Sequence, residues 1–330
     1  MTTLLPTAEG RRAVYGRGAL RRLCRAGRRF GVNVTLFSKV LAALDGSLTA
    51  EAALGFLPSV MEPQPANEVI LFTAVESGAD EDLTTAKTYL DRTAADLTEW
   101  WRRTGMPVPI IHTRAAPAQH GEPNRPPGKR RISNAVVDTA KAAQADLILL
   151  SSNGWAGLVA EVVLQLAETA VLLVRADDFH RVAPAKISRI LVPLDGSELA
   201  EQALPCAAAV ASRAGAREAT VAHVRLPREG AASKIMRPTW DFRPFPRGEE
   251  GAYLTEAARR LEGAGMAVTT ALRDGDPGPQ VAAEALECGA DLIVMASHGR
   301  SGNQTRPYGK VADDILHASP APVLMLHTGE

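Results

Sequence analysis

No apolar run in the chain approaches the ~18–20 residues that span a bilayer, which argues against a membrane-spanning helix. Nor is there the short basic region, apolar stretch and small-residue cleavage site of a secretory signal. Cysteine is scarce. Cys24, Cys206 and Cys288 are odd in number, lie far apart and show neither CxxC nor Cys/His metal spacing, so a disulfide framework and a structural zinc site are both disfavoured. These absences predict a protein of the reducing cytoplasm. An excess of one charge is missing too, because 37 basic and 37 acidic residues cancel, against a general nucleic-acid binder. There is no GxxxxGK[ST] phosphate loop, no GxSxG elbow, no acid/base carboxylate pair and no triad. Nothing positions a nucleophile against a bound ligand, and the expectation is a binding protein rather than an enzyme.

What remains is an ordinary globular composition, 46% apolar and 22% charged, on a length of 330 residues. That length suits two domains of roughly 150 residues each. The charge is unevenly placed. Residues 1–33 carry eight arginines (Arg11, Arg12, Arg17, Arg21, Arg22, Arg25, Arg28, Arg29) against Glu9 alone, leaving the rest of the chain at −7. Such an arm is either a contact for an anionic surface or nucleic acid, or a loosely helical or disordered extension. The second is the simpler reading.

The strongest signal is a repeat. Leu44-Asp45-Gly46-Ser47 returns as Leu194-Asp195-Gly196-Ser197, each copy ending an apolar run and opening a helical pattern. Further along, Ala145-Asp146-Leu147-Ile148-Leu149-Leu150 is matched by Ala290-Asp291-Leu292-Ile293-Val294-Met295. One folding unit is written twice. In the second copy, strands are expected at Ile190–Leu194, Ala219–Val224, Val268–Arg273, Leu292–Ala296 and Pro322–Leu326. Helices are expected from Ser197, at Tyr253–Ala264, Val281–Cys288 and Val311–His317, with 227–250 as a long loop. In the first copy, strands fall near Lys39–Leu44, Glu68–Val75, Val108–His112, Leu147–Ser151 and Ala170–Val174. Its helices fall near Ala50–Val60, Thr84–Arg103, Ser133–Ala143 and Leu158–Glu168, with Ala115–Arg131 as a basic loop.

Alternating strands and helices predict an α/β protein of two tandem domains, each an open five-stranded parallel sheet with helices on both faces, Rossmann-like and suited to nucleotides. The divisions are 1–33 for the arm, 34–175 for the first domain, 176–188 for a linker and 189–330 for the second domain. Ser47 and Ser197, beside Asp and Gly, are explained as helix N-caps. Cys206 and Cys288 fall on apolar helix faces as small buried side chains. Of Trp100 and Trp101, on adjacent sides of one helix, one belongs to the core and the other to a surface or interface.

In open α/β sheets ligands lie at the carboxyl ends of the strands, where strand order reverses. Asp195 follows the first strand of the second copy, and Met295–Gly302 follows the fourth, running on to Gly309-Lys310-Val311 at a helix start. Glycines let a loop pass close to an anion, free N–H groups at a helix start donate to phosphate, and a carboxylate can accept from ribose hydroxyls. A plain tight turn would also account for such a loop.

The first strand with Asp-Gly-Ser, Gly275-Asp276-Pro277, Ala290–Met295, His298-Gly299-Arg300-Ser301-Gly302 and Pro322-Val323-Leu324-Met325-Leu326 together resemble the universal stress protein family, in its tandem two-domain form, over residues 39–327. The resemblance implies a five-stranded parallel α/β fold and, for one branch, ATP binding through G-x2-G-x9-G-[ST]. Here that motif falls on Ala296, Gly299, Gly309 and Lys310: the spacing is kept, but alanine replaces the first glycine and lysine the final Ser/Thr. By the same resemblance Pro193, Asp195 and Val224 flank adenine and ribose, and Met295 and Val311 line the pocket. The implied ligand is ATP, with ADP and AMP as variants and Mg2+ able to accompany it.

The first copy departs further. Asp45 and Val75 match Asp195 and Val224, but Gly154 and Gly157 stand two residues apart where Gly299 and Gly309 stand nine apart. The residues that would wrap a triphosphate are missing, and Trp155 is suited to fill some of their space. The working site is therefore expected in the second domain, with a role in sensing or signalling under stress and an unidentified protein partner. The alternatives are a nucleotide-free scaffold with both loops decayed and a slow ATPase. The domains are expected to pack through their final strands as a pseudo-dimer, and the final strand is also where a further homodimer contact would form.

Overall fold

In seven strands four or more apolar side chains follow one another without a polar alternation, the pattern of strands covered on both faces. The computed structural model describes residues 36–77, 79–118, 129–152, 158–175, 185–226, 248–298 and 309–328. The first half contains β1 (Lys39–Ala43), β2 (Glu68–Val75), β3 (Ile110–Pro117), β4 (Leu147–Ser152) and β5 (Ala170–Arg175). The second contains β6 (Arg189–Pro193), β7 (Glu218–Arg225), β8 (Ala267–Asp274), β9 (Leu292–His298) and β10 (Val323–Thr328). They form one ten-stranded sheet in the order β3-β2-β1-β4-β5-β10-β9-β6-β7-β8.

Within each half all pairs are parallel, while β5 and β10 meet antiparallel in the register Val323↔Leu173, Leu324↔Leu172 and Met325↔Val171. The fold class is as expected, and the final strands do join the halves. That same pairing corrects one expectation. Both sides of β10 are occupied, by β5 and β9, so no further copy can add to the final strand; the sheet ends instead at β3 and β8.

Ten helices can be numbered in the described residues: α1 (Leu48–Ala53), α2 (Leu57–Val60), α3 (Asp80–Arg103), α4 (Lys129–Ala143), α5 (Leu158–Leu166), α6 (Glu198–Glu201), α7 (Ala203–Ala214), α8 (Glu250–Glu262), α9 (Pro277–Glu287) and α10 (Lys310–Ala318). Helices α4, α5, α9 and α10 cover one face over a core that runs through both halves, from Leu41, Phe72 and Ile148 to Leu191, Ile293 and Met325. The remaining six lie on the other face, where α2 of the first half packs against α7 of the second. There the Arg213 guanidinium donates from Nε to the Met61 carbonyl at 3.3 Å. Its burial against the first half pulls its pKa down, with Glu62 opposing.

Several boundaries differ from expectation for physical reasons. The helix expected over Ala50–Val60 breaks into α1, a 3-10 turn at Leu54–Phe56 and α2, because Pro58 has no N–H for the preceding turn. The helix after Ser197 breaks likewise between α6 and α7, since Pro205 cannot donate to the Glu201 carbonyl. Strand β3 runs on to Pro117, well into the segment read as a loop. Proline is tolerated there because β3 is an edge, where one side needs no donor. Helix α9 opens on Pro277, a position whose missing N–H costs nothing. Trp101 is in the core at 3% exposure and meets Trp100 edge to face at 5.8 Å. Burial pushes the Cys206 thiol up to about 12, which leaves it inert, and raises Cys288 as well. The arginine-rich arm, Ala183-Pro184, Trp155 and most of 227–250 lie outside the described residues.

Two helix glycines differ in the space around them. A Cβ built on Gly278 of α9 would lie 2.1 Å from the Cβ of Asp314 on α10. Gly278→Ala must push the helices apart and should cost about 1–3 kcal/mol in urea unfolding. By contrast, Gly251→Ala in α8, where nothing lies within 4 Å, should stabilise by about 0.5–1 kcal/mol.

Across the seam, His317 of α10 faces Glu161 of α5 at 3.3 Å, and its Nδ1 lies 2.7 Å from the Asp313 carbonyl. Burial opposes the charged ring, but Asp313 and Glu161 outweigh it and raise the pKa. A raised folded pKa contributes stability that is full below the unfolded value of about 6.5 and is lost as pH rises through the folded value. Glu161→Gln should therefore destabilise by about 0.5–1 kcal/mol at pH 5.5 and by progressively less in chemical denaturation at higher pH.

Candidate functional site

In each half the strand order reverses beside the first strand: β1 leads outward to β2 while β4 lies on its other side, and β6 and β9 repeat the arrangement. A crevice opens at such a point, outside the carboxyl ends of the strands. In the first half β1 and β4 stay paired as far as Ala42↔Leu149. In the second half the ladder between the matching strands ends a residue earlier, after Leu191↔Ile293.

The cause is Pro193. Leu194 N–H donates to the Ala222 carbonyl of β7 at 2.8 Å, so the neighbouring residue presents its backbone to β9. Proline has no N–H to give there. Ala43 is its counterpart in the first half. Val192 and Pro193 on one side and Val294–His298 on the other therefore flank a split in the ladder of hydrogen bonds between β6 and β9.

Beyond Leu194 the chain turns at Gly196, whose φ of 91° favours glycine. Asp195 Oδ1 accepts from the Ser197 amide at 2.9 Å and from its hydroxyl at 2.6 Å, while Ser197 caps α6 by accepting from Ala200 N–H at 3.1 Å. The second carboxylate oxygen has no hydrogen bond from a described residue. Asp45, Ser47 and Ala50 repeat all three bonds, so this turn is common to both halves.

The halves differ in what stands opposite. Residues 153–157 separate β4 from α5, whereas the longer run 299–309 separates β9 from α10. Likewise 76–79 separate β2 from α3, whereas 226–249 separate β7 from α8. Both of the longer connections start from the carboxyl end of a strand, β9 or β7.

Of the residues expected at the site, Pro193 ends β6 and Asp195 follows it by two positions, Ala296 lies near the end of β9, and Gly309, Lys310 and Val311 open α10. Val224 and Met295 belong to the core, at 9% and 6% exposure. Gly299 lies outside the described residues. Val311, by contrast, is 40% exposed although apolar, on the first turn of α10. Gly309 precedes that helix with φ 81° and makes no side-chain cap, and no described residue accepts from the amides of Lys310, Val311 or Ala312.

Lys310 is not a free cation. Its ammonium bonds Asp314 and lies 3.3 Å from Asp276 at the start of α9, and Asp314 first and then Asp276 hold its pKa above the ordinary range.

Three further groups beside Asp195 were not legible as site residues. Tyr253 of α8 has its hydroxyl pKa raised by burial, then by Glu201 and Asp195, and Glu201 pairs with Arg260. Tyr89, Glu51 and Asp45 form the same relation in the first half. The signal was present in the repeat: Ala-Glu follows Ser47 and Ser197 at equal spacing, and Tyr-Leu recurs at Tyr89 and Tyr253.

Comparison with known proteins places this arrangement among relatives. Residues 186–327 match the family model described as the universal stress protein family. The universal stress protein YxiE of Bacillus subtilis is 26% identical over 146 residues, 42% of this chain and 98% of that protein. A universal stress protein of Methanocaldococcus jannaschii is 26% identical over 145 residues, 42% of this chain and 81% of the relative. Over the longer span, a universal stress protein structure from Archaeoglobus fulgidus superposes with a TM-score of 0.61 at 19% identity, covering 88% of this chain and 99% of that one. That last likeness concerns the fold. Among the described residues no helix is long and apolar enough to cross a membrane, and no group of three His, Cys, Asp or Glu is placed to hold a metal ion.

The separation of β6 from β9 can be tested on its cause. Pro193→Ala restores an N–H directed at the Val294 carbonyl, so the new amide at 193 should be strongly protected in native-state hydrogen exchange. Fast exchange at that amide would show that the missing N–H of proline is not what ends the ladder.

Proposed function

We propose, on the premise that the chain belongs to the universal stress protein family through residues 186–327, that it is a stress-response protein whose second half binds an adenine nucleotide. Its role is sensing or signalling rather than turnover. The observation that carries this reading is the asymmetry of the two switch points. The second half combines an early split at Pro193, a long connection between β9 and α10, and a helix start whose amides have no acceptor among the described residues. The first half keeps the turn but has a longer β1–β4 pairing and only five residues before α5.

ATP, ADP or AMP would be held with its ribose or base on Asp195 and Pro193, its phosphates on Gly299, Gly309 and the α10 amides, and Val311 against its apolar parts. Ala296, Val224 and Met295 would form the floor, and Mg2+ would accompany a polyphosphate. The nucleotide supplies a charged, exchangeable ligand; the chain supplies shape, donors and one carboxylate acceptor.

A second reading has one observation in its favour. The ammonium of Lys310 is already bound by two carboxylates, so a polyphosphate must compete with Asp276 and Asp314 for it. If that competition fails, the protein is a nucleotide-free scaffold.

Denaturing the purified protein and chromatographing the supernatant for nucleotide, followed by ATP, ADP and AMP titrations in a calorimeter, separates the two. Absence of binding at millimolar nucleotide would sink the favoured reading. Asp195→Ala should weaken binding about tenfold or more, as loss of a charge-assisted hydrogen bond does, while Asp45→Ala should leave it unchanged. Equal losses from both would overturn the assignment to the second half, and turnover at ordinary enzymatic rates would make the protein an ATPase.

A further inference from the structure

The turn that carries Asp195 is held from below by a buried histidine. His223, on β7, is 4% exposed, and its Nδ1 lies 2.8 Å from the carbonyl oxygen of Leu194. A carbonyl only accepts, so Nδ1 carries the proton and donates. The same Leu194 gives its N–H to the Ala222 carbonyl at 2.8 Å. Leu194 is thus gripped on both backbone groups, by consecutive residues of the neighbouring strand.

The consequence follows from peptide geometry. The Leu194 carbonyl and the Asp195 amide belong to one rigid plane, so fixing the oxygen fixes the direction in which the chain enters Asp195. From there Gly196 and the two bonds of Ser197 to Oδ1 fix the carboxylate. We propose that His223 is the positioning residue of the candidate site: its Nδ1–H holds the Leu194–Asp195 peptide so that the second Asp195 carboxylate oxygen faces the split between β6 and β9. This rests on the nucleotide-binding reading above for its ligand, though not for the geometry.

The chain contains its own control. In the first half Leu44 N–H donates to the Phe72 carbonyl at 2.8 Å, and Thr73 Oγ1 donates to the Leu44 carbonyl at 2.9 Å. Thr73 occupies the register position of His223, because Ala43 pairs with Phe72 as Pro193 pairs with Ala222. One half makes the bond with a hydroxyl, the other with an imidazole. The shared element is the donor rather than the ring.

Comparing His223→Thr with His223→Val isolates that donor, since threonine and valine have nearly the same shape. Two readouts are needed. In the ligand-free protein, exchange protection of the Ser197 amide, which donates to Asp195, should be kept in His223→Thr and fall about tenfold in His223→Val. In ATP titration, His223→Thr should bind within about threefold of the unchanged protein and His223→Val about tenfold more weakly. Retained protection in His223→Val, or equal loss in both variants, would overturn the proposal. If the unchanged protein takes no adenine nucleotide, the functional reading falls while the exchange experiment still decides whether His223 positions the turn.

Discussion

The antiparallel pairing of β5 with β10 is the contact on which the rest of the molecule depends. Each half ends in a strand that is apolar on both faces, and left alone that strand would be an open edge, a template for unwanted pairing. Joined, the two edges cancel each other. The core on one face then passes without a break from Leu41 and Ile148 through Val171 and Val323 to Leu191. Contacts that a single half could not make accumulate along the seam: Arg175 reaches the Ser319 carbonyl, His317 meets Glu161, and on the far face Arg213 reaches Met61. The sheet is left with the edges β3 and β8, whose residues alternate between exposed and half-buried and carry His112, Arg114 and Arg273 among them.

That union also accounts for the asymmetry of the two switch points. A duplicated fold needs only its seam and its strands to stay intact, because those carry the buried area. The described core residues lie on strands and helices, so the connections that leave the strands can differ in length between the halves while those elements stay the same. The turn at Leu-Asp-Gly-Ser survives in both halves for a different reason. It caps a helix and closes a strand, through Ser47 and Ser197, whether or not a ligand comes. A preserved Asp45 is therefore no sign of a preserved site. What distinguishes the halves is what stands opposite, and there Pro193 and the eleven residues 299–309 have no equals in the first half.

The central strands were legible in the sequence because burial on both faces leaves an unbroken apolar run, which few other structures produce. Edge strand β3 was only partly legible. Its second half, Thr113–Pro117, has weak strand formers and a proline, and an edge position is what makes them acceptable. Helix breaks at Pro58 and Pro205 were missed because the apolar spacing continues across them, and periodicity does not register a missing N–H. At the site, Asp195 and the loop before Lys310 stood out as a repeated and a glycine-rich motif. His223 did not. A histidine within an apolar strand gives no local signal, and its role emerges only when β6 and β7 are set in register.

The lysine at 310 illustrates how a changed motif residue can be absorbed by its surroundings. Gly278 lets α9 approach α10 so closely that the Asp314 side chain lies against its Cα, which no larger residue would permit. That approach brings Asp276 and Asp314 to the two sides of the Lys310 ammonium. A lysine placed alone beside a helix start would add to the positive end of the helix dipole and cost stability. Bound by two carboxylates it instead ties the helices together, and the group of three carries a net negative charge. On the nucleotide-binding reading proposed above, a phosphate at the α10 amides would meet a helix dipole that attracts it and a carboxylate pair that repels it. Under that reading the balance would favour a ligand with fewer charges, or one whose charge a cation shares, and the number of phosphates would be the property to which the start of α10 responds most.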